Sequence, residues 1–203
     1  MQDDLLIRRA QRGDADAFEQ LLLEHQKNVY NLCYRMANNP DDAMDLSQET
    51  FLRAWRCLDQ YQFASAFSTW LYRLCSNLCI DFLRKRRRQQ TVPLTFEDAD
   101  GEEQIYAVPD PAPLPEELVE LKLTRETLQA AMAQLLPEHR AILQLRVCED
   151  LPYEQIADIL DIQVGTVKSR LSRARTQLKK ILERGNLSAA ASSEFLKGEV
   201  GAK

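Results

Sequence analysis

A chain of 203 residues, with 45% apolar and 28% charged side chains, has room for one large or two small folded domains and the composition of a globular protein. No stretch approaches the ~18 apolar residues of a membrane span, and Met1-Gln2-Asp3-Asp4 is acidic where a secretory leader is basic, so the expectation is a cytoplasmic chain without direct membrane insertion. The net charge of −5 argues against a simple nucleic-acid coat, but the charge is segregated. Arg84 to Arg88 are five consecutive cations, Thr91 to Glu120 hold nine acids and no Lys or Arg, and Gln163 to Arg184 hold seven cations and one acid. Segments of opposite sign are built to meet different surfaces.

Helix formers dominate and Gly is scarce, which predicts an all-α fold. Leu5, Leu6, Ala10, Ala17, Phe18, Leu21, Leu22, Val29, Leu32 and Cys33 carry a helical stripe from Asp3 to about Met36, with a break at Gly13-Asp14. Asn38-Asn39-Pro40-Asp41 is a turn, and Asp41 to Leu58 the next helix. After a break at Tyr61 to Ser65, Ser68 is expected to cap a helix from Thr69 to about Arg87. Residues 1–88 thus form one compact domain. Residues 89–115 read as a linker, because five of the eight prolines (Pro93, Pro109, Pro111, Pro113 and Pro115) fall there among acids. Residues 116–184 form a second helical domain. Its helices are expected from Glu116 to Leu135, from Pro137 to about Cys148, from Pro152 to Leu160 and from Val164 to Leu182. Residues 185–203, rich in Ala, Ser and Gly, read as a disordered tail.

The last two helices have the pattern of a helix-turn-helix. Ala157 is small where the helices would cross, and Ile156, Leu160, Ile162, Val167 and Leu171 supply a shared core. Asp161 falls in the turn, where an Asx side chain can satisfy local amides. On the second helix Thr166, Lys168, Ser169, Arg170, Ser172, Arg173 and Arg175 are expected to be exposed, a basic and hydroxyl face suited to the major groove. Lys179, Lys180 and Arg184, further along, suit phosphates. The bland alternative is a solvated charged face. The turn spacing and one-sided sign favour DNA.

No catalytic triad, phosphate-binding loop or metal site is legible, so neither an enzyme nor a cofactor is expected. Cys33, Cys57, Cys75, Cys79 and Cys148 are odd in number, form no CxxC and fall inside helical patterns, as small buried hydrophobes do. Cys75 and Cys79 are one turn apart and could share a ligand, but two histidines in the chain complete no plausible zinc set.

Four separate stretches carry a family resemblance. They are Asp45-Leu46-Ser47-Gln48-Glu49-Thr50-Phe51-Leu52-Arg53-Ala54-Trp55, then Phe67-Ser68-Thr69-Trp70-Leu71-Tyr72-Arg73-Leu74, then Asn77 with Asp81-Phe82-Leu83-Arg84-Lys85, and Val164-Gly165-Thr166-Val167-Lys168-Ser169-Arg170-Leu171. In order and spacing they resemble a bacterial extracytoplasmic-function (ECF) sigma factor of the SigW-like branch, from about Asp3 to Leu182. The resemblance implies two helical domains, regions 2 and 4, joined by an extended acidic linker. Its implied partners are core RNA polymerase, through the β′ coiled coil and the β flap, promoter DNA, and an anti-sigma factor that holds the two domains shut. It implies that Asp45, Gln48 and Glu49, with Phe51 and Trp55 nearby, dock on the β′ coiled coil. It implies that Tyr61, Gln62, Phe63, Ser65, Asn77, Arg84, Lys85 and Arg88 face the −10 element. Tyr61, Phe63 and Phe67 could stack on or wedge between bases, a contact worth about 1–3 kcal/mol per base, whereas Trp70 reads as core. It implies that Thr166, Lys168, Ser169, Arg170, Ser172 and Arg173 read the −35 element. Two departures stand out. Many members carry Phe-Arg-Gly-Asp-Ser where this chain has Tyr61-Gln62-Phe63-Ala64-Ser65, and Pro152 replaces a Ser cap.

Two other functions compete with this reading. A stand-alone dimeric regulator would need neither the Asp45–Glu49 helix nor the acidic linker. A helical adaptor would not need the basic recognition helix.

Overall fold

In the computed structural model residues 2–91 and 127–184 are described. The expected linker from residue 92 on, the first part of the helix expected from Glu116 and the expected tail lie outside the described residues, while residues 89–91 continue the last helix of the N-terminal lobe. The described residues contain helices and turns and no strand. The N-terminal lobe comprises α1 (Gln2–Ala10), α2 (Ala15–Ala37), α3 (Pro40–Cys57) and α4 (Phe67–Thr91). The C-terminal lobe comprises α5 (127–133), α6 (Pro137–Leu143), α7 (Tyr153–Leu160) and α8 (Val164–Arg184).

Local chemistry sets the breaks. Gly13 takes φ 89, and Asp14 caps α2 by accepting from the Ala17 amide at 3.1 Å. Asn38 closes α2 in the left-handed region, and the side-chain oxygen of Asn39 accepts from the Asp41 and Asp42 amides at 2.9 and 3.0 Å ahead of Pro40 in the first turn of α3. The expected Ser68 cap is corrected. The helix starts at Phe67, with the Trp70 amide bonded to the Ala66 carbonyl, so Ser68 lies inside the first turn. The helix expected from Pro137 to about Cys148 also differs: after α6 the chain widens into a π turn over Gln144–Cys148, closed by the bond from the Glu149 amide to the Gln144 carbonyl, which delivers Glu149 beside the other lobe.

α4 is buried around most of its circumference, at Phe67, Trp70, Leu71, Tyr72, Cys75, Leu78, Cys79 and Ile80. It packs on α2 and α3 within its own lobe and on α6 and α7 of the other. One contiguous apolar core therefore runs through both lobes. Polar contacts reinforce the seam. Glu149 accepts from Arg35 Nη1 at 2.6 Å and from Tyr72 Oη at 2.9 Å, and Arg140, only 4% exposed, donates Nη2 and Nε to the Arg35 carbonyl at 2.8 and 3.1 Å.

Candidate nucleic-acid interface

α7 and α8 meet across a tight turn. Pro152 stands one residue before α7, at the capping position rather than in the first turn, and contributes no side-chain cap. Asp161 adopts φ 51 and ψ 52, and the bonds that close the turn run from the Asp161 and Ile162 amides to the Ala157 carbonyl. The backbone thus does what the sequence assigned to an Asx side chain. Ile156, Ala157, Val167 and Leu171 are buried in the joint as expected. Lys168, Ser169, Ser172 and Arg173 are exposed on α8, while Thr166 and Arg170 are half-buried. The expected exposure of Arg175 is corrected to half-buried, because it lies four residues after Leu171 and three before Leu178, at the edge of the apolar stripe.

The segment from Leu58 to Phe67 is held from within. Gln11 Nε2 donates to the Leu58 and Tyr61 carbonyls, both at 2.9 Å, and Tyr61 Oη donates to the Ser65 carbonyl at 2.6 Å. Tyr61 packs against Phe63, Phe67 and Trp70 with ring centroids 4.9, 5.8 and 5.3 Å apart. Tyr61, Phe67 and Trp70 are each under a tenth exposed. In this arrangement Tyr61 and Phe67, two of the three rings expected to face bases, belong to an aromatic core, and only Phe63 of the three is half-exposed. Phe63 has φ 59 and stands where the family pattern carries Gly. The left-handed backbone survives without Gly because the Phe63 ring is anchored under the Arg8 guanidinium, 4.5 Å from the centroid, and against Tyr61. Gln62 is exposed, Ser65 half-buried, and Asn77, Lys85 and Arg88 exposed along α4.

On α3, Asp45 and Gln48 are exposed, and Glu49 is engaged by Arg53 at 2.8 Å one turn later. Trp55 is 38% exposed, with its ring 4.9 Å from Phe18. Phe51 is 8% exposed. It faces the core, so the surface available to a partner consists of its neighbours.

The candidate DNA residues of the two lobes share clefts. One, of about 370 Å³, is lined by Asn77, Arg84, Glu138 and Arg170, among others. Another, of about 540 Å³, has Gln62 and Ser65 on one wall and Asp158, Asp161 and Gln163 on the other. In the first, Glu138 binds Arg84 through Nη2 at 2.6 Å and Nε at 2.8 Å. Partial burial works against the Glu138 carboxylate, but its own backbone amide and the bonds from Arg84, aided by the charge of Arg170, hold its pKa below the ordinary value. Sequence reasoning missed Glu138, Glu149, Tyr72, Arg35 and Arg140, because each acquires its role only when the lobes close.

A helical lobe joined to a helix-turn-helix lobe, with cationic and hydroxyl side chains along α4 and α8, defines a DNA-directed regulatory protein. Comparison with known proteins narrows the class. The Sigma-70 region 2 family matches residues 21–89, and the Sigma-70 region 4 family matches residues 125–178. The chain is 34% identical over 176 residues to the ECF RNA polymerase sigma factor SigW of Bacillus subtilis, spanning 87% of this chain and 94% of that one. It is 38% identical over 183 residues to the RNA polymerase sigma-H factor of Pseudomonas aeruginosa, spanning 90% and 94%. Among solved structures it is similar to the sigma factor RpoE of Bartonella quintana in complex with the anti-sigma factor NepR, with a TM-score of 0.57 and 26% identity over 82% of this chain and 96% of that one. The chain belongs to the ECF sigma factors of the sigma-70 family, subunits that direct RNA polymerase to promoters.

Proposed function

We propose that this sigma factor reads the −35 element with the exposed face of α8, through Lys168, Ser169, Ser172 and Arg173, with Thr166 and Arg170 at its edge. It opens and holds the −10 element with Gln62, Phe63, Ser65 and Asn77, while Arg84, Lys85 and Arg88 meet the backbone. Asp45, Gln48 and Glu49, beside Trp55, dock on the β′ coiled coil, and the C-terminal lobe meets the β flap. The protein acts in the cytoplasm and is no enzyme, because bond formation belongs to the polymerase. The observation that carries the reading is the two-faced α8: its apolar side is locked onto α7 by the turn at Asp161, and its cationic side is open.

In the closed arrangement Arg84 and Arg170 border the same cleft as Glu138. Free protein is thus a poor DNA binder, and polymerase binding separates the lobes. An anti-sigma factor, of the kind that NepR is for its own partner, would act by holding them together. The test is run-off transcription on genomic fragments, with free-protein DNA binding measured alongside. Core polymerase should convert weak, salt-sensitive binding into mapped starts. Tight, salt-resistant operator binding without polymerase would instead establish a stand-alone regulator.

A further inference from the structure

Cys33 on α2 and Cys75 and Cys79 on α4 are separated by 42 and 46 residues in the chain, yet their sulfurs converge. Cys33 Sγ lies 3.4 Å from Cys75 Sγ and 3.9 Å from Cys79 Sγ, and all three lie within 4.8 Å of one another. None has any solvent exposure. Cys75 and Cys79 share one face of α4 because they are one turn apart, and α2 packs against that face. Cysteine commonly fills a core as a small hydrophobe, but that role does not require three thiols to point at one centre. Cys57 and Cys148 do not join them.

Three sulfurs held about 2.3 Å from a central ion in a trigonal plane lie roughly 4.0 Å apart, by simple geometry. The Cys33–Cys79 separation of 3.9 Å matches this, the Cys33–Cys75 separation of 3.4 Å is a little shorter, and the third pair lies within 4.8 Å, so small side-chain shifts complete the plane. The donor set selects the ion. Thiolate is a soft ligand, and among the described residues no other Cys, His, Asp or Glu joins the three. Zinc takes four ligands in structural sites, so it is left a ligand short. Copper(I) is soft and is satisfied by three thiolates.

We propose that Cys33, Cys75 and Cys79 form a trigonal thiolate site for copper(I) in the core of the N-terminal lobe. Binding releases the thiol protons to solvent as the metal–sulfur bonds form. The Cys79 thiol donates toward Cys33 Sγ, and Cys33 and Cys75 share a hydrogen bond between their sulfurs, so the three groups already face one another. A copper(I) tris-thiolate carries negative charge that the core must balance. Arg140 of the C-terminal lobe is a buried cation placed to offset part of that charge.

The test uses the full chain with Cys57→Ser and Cys148→Ser, so that the cluster supplies the only thiols. Because the sulfurs are buried and exchange needs local opening, copper(I) is offered both to the folded protein and during refolding, against a colorimetric copper(I) chelator. The expected result is one copper per chain retained against the chelator, with three sulfur neighbours at about 2.3 Å by X-ray absorption. Zinc should not be retained. Copper left wholly with the chelator under both conditions, or bound with fewer than three sulfurs, overturns the proposal. A further Cys75→Ala change should abolish retention in protein whose circular dichroism is unchanged, and retention there would also overturn it. Should that variant not fold, the sulfur count in its parent still decides.

Discussion

Arg84 Nη2 lies 2.6 Å from Glu138 Oε1, so a cation assigned to the −10 side is neutralised by a carboxylate from the lobe that carries the −35 reader. Glu138 stands where an Arg84-bound phosphate would stand, and Arg170 borders the same cleft. Glu138→Gln keeps the shape and removes the charge. Arg84 is about half exposed, so the pair is worth only about 0.5–1 kcal/mol. Free Glu138→Gln protein should bind a mixed-sequence single-stranded oligonucleotide about two- to fivefold more tightly than the parent, as read by fluorescence anisotropy. Unchanged or weaker binding would mean that Glu138 does not mask Arg84.

The same carboxylate predicts a pH dependence. Partial burial would raise its pKa, but the bonds from its own amide and Arg84 outweigh that and leave it lowered from 4.5. The folded form therefore favours the charged state. Its contribution to stability is fully present above the unfolded value and is lost as pH falls through the lower folded value. The difference in urea midpoint between the parent and Glu138→Gln should be constant from about pH 7 to about pH 5.5 and shrink below about pH 4.5. A difference that vanishes already near neutrality would contradict the pairing.

On α3 the residues proposed for docking are separate from those that hold the fold. Asp45 and Gln48 are exposed, whereas Phe51 is buried on the same helix. Asp45→Ala with Gln48→Ala should weaken co-purification with core polymerase and leave the melting curve in place. Phe51→Ala should destabilise the fold by about 3–5 kcal/mol, and any loss of polymerase binding should follow that loss of fold. Normal co-purification of the double variant would remove Asp45 and Gln48 from the interface.

The helices were legible because their apolar residues recur at 3.6-residue spacing and because Gly13, Asn39, Pro137 and Asp161 punctuate them. The recognition helix was legible for the same reason: Val167, Leu171, Ala174 and Leu178 fix its buried side, which leaves Lys168, Ser169 and Arg173 outward. Two kinds of feature were not. Tyr61 and Phe67 carry the same side chains whether they wedge into DNA or pack on Trp70, and composition cannot separate the two. Glu138, Glu149 and Arg140 look like ordinary helix charges until the two lobes meet, and Cys33 lies too far along the chain from Cys75 for any spacing rule to join them.

Arg173 and Lys180 both lie exposed on α8, two turns apart, and should differ in kind. Arg173 follows the first two turns of the helix, where a guanidinium can reach base edges, and Lys180 lies where the helix has run on toward the backbone. In holoenzyme, Arg173→Ala should cost about 1–3 kcal/mol on the cognate −35 element and little on a scrambled one. Lys180→Ala should weaken both equally and reduce the salt slope by about 1. Footprinting across a salt series on matched and scrambled upstream elements separates the two. If Arg173→Ala loses equal affinity on both sequences, Arg173 is a phosphate contact, and the reading of the upstream element rests on Lys168 and Arg170.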